Sequence, residues 1–136
     1  TDADGMGGGQ ELELAIQRLQ RYYHRWPDAH VTVGNHDRII MRKAQSGGVP
    51  KEWVKDYKEV LRTPNWKFVT DVEIDDVLYI HGEAGTAKTK ARSDMRSTVQ
   101  GHLHTQAYTE YFVGANSRVF GCQVAVLMLK VMLWLI

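Results

Sequence analysis

Two rhythms of apolar and polar positions run along this chain, one near 3.6 residues and one of two, and they predict helices and strands in turn. Leu12, Ala15, Ile16, Leu19, Tyr22 and Tyr23 recur at helical spacing with Glu, Gln and Arg between them, after a Gly- and Asp-rich loop over residues 1–9. Trp26-Pro27-Asp28 ends that helix, since proline cannot continue it. His30 to Val33 is a short β-branched run that meets Gly34-Asn35, which predicts a strand ending in a sharp turn. Arg38 to Gln45 reads as a short helix. Pro50 suits the first position of another, with Trp53, Val54, Tyr57, Val60 and Leu61 on its apolar face. Trp66 to Ile74 and Val77 to Ile80 read as strands joined by an Asp75-Asp76 turn. Residues 82–97 read as a polar, basic loop. Thr98 to Gln100, Tyr108 to Val113 and Val119 to Val126 are further strands. Helices and strands interleave early and strands dominate late, so the class is α/β or α+β, and α/β is the expectation.

Composition narrows this picture in a few places. A chain of 136 residues is long enough for one domain with its own core and too short for two. Its formal net charge of +1 gives no global field toward nucleic acid or a membrane surface. Cys122 stands alone, which excludes an intramolecular disulfide and a cysteine zinc cluster. No basic region followed by an apolar run opens the chain, so a cytoplasmic location with no membrane partner is expected. Val124 to Ile136 is apolar except for Lys130, yet shorter than the roughly 20 residues that cross a bilayer. Its first half reads as a buried final strand. The remainder, exposed, would be an aggregation hazard.

Chemistry gathers where strands end. Asn35, His36, Asp37, His81, His102 and His104 all lie at such ends, and they include four of the 6 histidines of the chain. Imidazole suits Zn, Mn, Fe or Ni, and an Asn carbonyl adds a harder oxygen donor, so the set fits hydrolytic metal chemistry better than a closed structural site. In extended backbone His102 and His104 face the same way, and Gly101 lets the main chain come close. Taken singly each is bland: Gly-Asn is a common turn, and a lone histidine is usually just hydrogen-bonded. Their joint occurrence, in order, is what carries weight.

Gly34-Asn35-His36-Asp37, His81-Gly82 and Gly101-His102-Leu103-His104 together resemble the last three of five ordered signatures of the calcineurin-like metallophosphoesterases. The first two, Asp-x-His and Gly-Asp-x-x-Asp, have no counterpart, unless Thr1-Asp2 ends the second and its bridging Asp falls just before Thr1. The resemblance implies one partial, N-terminally truncated domain with a two-sheet α/β sandwich. It implies two divalent metal ions and hydrolysis of phosphate mono- or diesters by a metal-activated hydroxide. Asn35, His81 and His102 would bind one ion and His104 the other. His36 would act as general acid, with Asp37 orienting its ring. Lacking the bridging carboxylate, the chain by itself is expected to bind metal weakly and hydrolyse esters poorly.

Two rival readings attach to the basic stretch. Gly82 to Thr89 nearly spells the phosphate-binding loop G-x-x-x-x-G-K-T, but Ala87 stands where the second glycine belongs. A nucleotide binder of that kind is the weaker alternative. Lys88, Lys90, Arg92 and Arg96 lie between two metal motifs and are candidates for contacting a phosphorylated substrate, nucleic acid included. The stronger alternative is thus a non-catalytic nucleic-acid-binding module on a degenerate phosphoesterase fold.

Overall fold

The computed structural model describes residues 7–125. The apolar tail from residue 126 onward and the opening Thr1-Asp2 lie outside the described residues. The fold is mixed α/β with two sheets, and no closed barrel forms among the described residues. In chain order the elements are α1 (Gly8–Arg25), β1 (His30–Thr32), α2 (Arg38–Ser46), a 3-10 turn (Lys51–Trp53), α3 (Tyr57–Val60), β2 (Lys67–Val69), β3 (Asp71–Ile74), β4 (Val77–Ile80), α4 (Ala87–Asp94), β5 (Ser97–Gln100), β6 (Tyr108–Val113) and β7 (Arg118–Gln123). A two-stranded parallel sheet joins β1 to β2, and the larger sheet runs β3-β4-β5-β7-β6. No helix among the described residues is long and apolar enough to cross a membrane.

The chain forms two compact units. In the first, residues 7–31 and 35–68, α1 buries Ala15 and Ile16, while Leu61 and Trp66 supply the rest of the apolar core. Side chains reach back to the main chain to fix it. Gln20 donates to the Leu61 and Arg62 carbonyls at 3.2 Å each, and the Trp66 indole N–H donates to the Trp26 carbonyl at 2.8 Å. Glu13 takes a bidentate pair from Arg62 at 3.1 and 2.9 Å. The helix expected from Pro50 is instead broken in two, a 3-10 turn and the four-residue α3. Asp56 explains the break: it sits extended and its carboxylate accepts the Glu59 N–H at 2.8 Å, capping a fresh helix start. Likewise α1 begins at Gly8, inside the expected loop.

The second unit, residues 32–34 and 69–125, holds the five-stranded sheet. The single strand expected over Trp66 to Ile74 divides at Thr70, and β2 and β3 enter different sheets. Asp75 and Asp76 both take positive φ (52° and 60°), which matches the handedness of a two-residue hairpin between β3 and β4. The expected basic loop over 82–97 contains α4. Its sequence has no large apolar residue inside it, so no apolar stripe announces it. What seats it is smallness: Ala87 and Ala91, one turn apart and fully buried, lie against β5 and β7. A Cβ on Gly121 would come within 2.6 Å of the Ala87 carbonyl and Lys88 Cα, so only glycine admits the helix there.

Candidate metal centre

β4 and β5 are parallel neighbours, with Ile80 opposite Gln100. Their chains therefore leave the sheet at the same end, and the next residues are His81 and Gly101-His102. Topology alone makes these two histidines adjacent. His81 Nε2 and His102 Nδ1 face each other at 3.2 Å with rings near perpendicular (77°), both half-buried. At this distance the N–H of one ring donates to the nitrogen of the other. Metal–imidazole bonds of about 2.0–2.1 Å put two neighbouring nitrogens on one ion about 3.0–3.4 Å apart. The observed pair thus has the spacing of two ligands on a single cation, and the donor set fits a borderline-soft divalent ion.

The backbone here is held in place by glutamines. Gln100 and Gln123 end β5 and β7, pair with each other across the sheet, and are 1% and 2% exposed. Gln123 Nε2 donates to the carbonyls of Gln100 and Gly101, and its Oε1 accepts the Ala87 N–H at 3.0 Å. Gln100 Nε2 donates to the Gly85 carbonyl at 3.2 Å. Two buried amides therefore tie the loop after β4, the loop after β5 and the start of α4 into one unit. Gly82, at φ 86°, passes so close that a Cβ there would sit about 2.5 Å from Gln100 Nε2. His102 itself takes φ 70°, a left-handed conformation that costs a non-glycine residue of order 1–3 kcal/mol unless its surroundings hold it.

The other predicted residues are placed less tightly. His104 is exposed. Among the described residues no three His, Cys, Asp or Glu side chains group to hold a metal ion. Asn35, His36 and Asp37 form a turn after β1, His36 exposed and the other two half-buried. That turn is anchored by Tyr57, whose hydroxyl donates to the Asp37 carbonyl at 2.9 Å. Burial first, and the Asp37 charge second, raise the Tyr57 pKa above its ordinary value.

Of the four basic candidates, two are committed elsewhere. Lys90 pairs with Asp94 at 2.8 Å, and that hydrogen bond holds the Asp94 carboxyl below its usual range. Arg96 pairs with Glu73. Lys88 and Arg92 share one side of α4 with Thr89 and Ser93. The segment resembling a phosphate-binding loop does run strand, loop, helix, but two of its amides are spent internally. The Ala87 N–H goes to Gln123, and the Thr89 N–H goes to the Thr86 hydroxyl at 3.3 Å.

Sequence reasoning assigns no role to the Gln100 and Gln123 side chains, and it names Gly82 only as part of its motifs. A signal was present: each glutamine ends its strand, Gln100 two residues before His102 and Gln123 opposite Gln100 in the sheet. Compared with protein-family models, curated proteins and solved structures, the chain matches none.

Proposed function

We propose that this chain is a metal-dependent phosphoesterase of the two-metal kind, with the two-sheet α/β sandwich that its three motifs resemble. The observation that carries the reading is the His81–His102 pair, two imidazole nitrogens 3.2 Å apart at adjacent strand ends. A strained His102 backbone and buried glutamines support it, because a resting surface histidine has no need of either. In this reading His81 and His102 would hold one ion, and His104 would bind the other. Mn, Fe, Zn or Ni bound there would supply hydroxide near neutral pH and offset charge on the phosphoryl oxygens.

The protein's own groups do the rest. Gln123 fixes the Gly101 carbonyl and so the direction in which His102 is presented. His36, exposed at its turn, protonates the departing alkoxide, and Asp37 sets its tautomer. Substrates are phosphate mono- or diesters.

Cobalt(II) titration, followed by visible absorption, tests the reading without relying on turnover. His81→Ala and His102→Ala are each expected to weaken binding by at least about tenfold, a loss seen even when only a ligand's supporting partner is removed. Manganese-dependent hydrolysis of bis-p-nitrophenyl phosphate, however slow, should vanish with chelator, and that of an alkyl phosphate ester, whose leaving group needs a proton, should fall in His36→Ala while cobalt affinity holds. Cobalt binding unchanged in both histidine variants would refute it.

A further inference from the structure

The side of α4 that carries Lys88, Thr89, Arg92 and Ser93 forms one wall of an open groove of about 510 Å³, whose other wall is Glu110 and Phe112 on β6. Glu110 and Phe112 lie opposite Gly121 and Val119, so they stand on the sheet face that α4 covers. Two cations and two hydroxyls repeat here at a spacing of four residues, which sets them about 6 Å apart along the helix. An aromatic ring forms the far side. Lys88 is held over the Tyr108 ring, 5.6 Å from its centroid, and reaches Glu110 only loosely at 3.7 Å. Arg92 lines the groove beside it.

We infer that this groove binds single-stranded nucleic acid, its backbone phosphates on Lys88 and Arg92 and a base against Phe112. The repeat decides between polyanions. A phosphorylated peptide offers one dianion and needs one cluster, whereas a strand offers a charge at every residue and matches cations one helical turn apart. Phe112 adds what a peptide does not use, a flat face for stacking that every base can meet. The Thr89 and Ser93 hydroxyls line the same wall but are engaged with Thr86 and Asp94, so the two cations carry the phosphate contacts. Glu110 opposes the ligand and keeps Lys88 in position when the groove is empty. The inference rests on the phosphoesterase reading only in the step from ligand to substrate class; binding itself needs no metal.

Fluorescence anisotropy of a labelled oligo-dT 12-mer, with excess EDTA, tests it. Arg92→Ala and Lys88→Ala should each weaken binding about five- to tenfold and flatten the salt dependence by about 0.7 per lost contact. Phe112→Leu, which keeps apolar volume but removes the ring, should cost about tenfold. Glu110→Gln should tighten binding. Lys90→Ala is the decisive comparison, being the same helix and charge but outside the groove and paired to Asp94: it should change affinity less than twofold. An equal loss in Lys90→Ala and Arg92→Ala would overturn the groove, and so would tighter binding to a phosphoserine peptide than to the oligonucleotide. His102→Ala should leave anisotropy untouched while abolishing chelator-sensitive hydrolysis, so the two readings fail independently.

Discussion

Two histidine-bearing turns in this chain are built in opposite ways. The turn at Asn35–Asp37 follows a three-residue strand, exposes His36 and receives the Tyr57 hydroxyl on the Asp37 backbone carbonyl. The turns at His81 and His102 follow two neighbouring parallel strands and are backed by Gln100 and Gln123, whose side chains satisfy four backbone partners between them. Both are short motifs of similar composition, and the second has its backbone fixed by buried amides. A left-handed histidine persists where buried amides leave the chain no alternative, and a solvent-facing histidine needs only its turn. In the phosphoesterase reading this suits their parts: ligands must converge before the ion arrives, while an acid must reach a substrate that moves.

The largest effect expected from disturbing this arrangement is in Gln123→Leu. It orphans the Ala87 N–H and the Gly101 carbonyl in a buried place, and a loss of about 3 kcal/mol is expected in chemical denaturation. A change under about 0.5 kcal/mol, the surface-substitution range, would show that the glutamine pair is ornamental to stability. Next is Gly82→Ala, whose new methyl meets Gln100 and whose φ of 86° is unfavourable to alanine. About 2 kcal/mol is expected, together with weaker cobalt binding, because the displaced Gln100 belongs to the same network.

The smallest of the three is at the other turn. Tyr57→Phe removes one hydrogen bond and should cost about 1 kcal/mol at neutral pH. Its pH signature is more telling. The folded state holds the Tyr57 proton more tightly than the unfolded chain does, so its contribution is complete below the ordinary tyrosine pKa of about 10. It is then lost as pH rises through the higher folded value. Wild type should therefore lose stability above about pH 10 more steeply than Tyr57→Phe does. Parallel curves would remove Tyr57 as the anchor of its turn.

The sequence by itself decided the class, the positions of α1, α2, β1, β4, β5 and β6 to within a few residues, and the segments on which candidate chemistry sits. Those elements announce themselves through apolar periodicity of the ordinary kind, large residues at helical or alternate spacing. Where burial is achieved without large residues, the pattern falls silent. α4 is seated by Ala87, Ala91 and Gly121, so its segment read as a basic loop. Thr70 and Asp56 divide elements that hydropathy joined, because a strand that changes sheets and a helix that restarts at a carboxylate cap leave the apolar pattern almost unaltered.

Only the tertiary structure decided which candidates meet. His81 and His102 are 21 residues apart, and what closes that separation is the parallel pairing of β4 with β5, a choice no local segment encodes. The same holds for the cations: Lys90 and Arg96 look like Lys88 and Arg92 in sequence, and it is the position of Asp94 and Glu73 that sorts them. Hydrophobic pattern is a local property that survives in one dimension. Convergence of polar groups is a property of chain crossings, and those exist only once the sheet has formed.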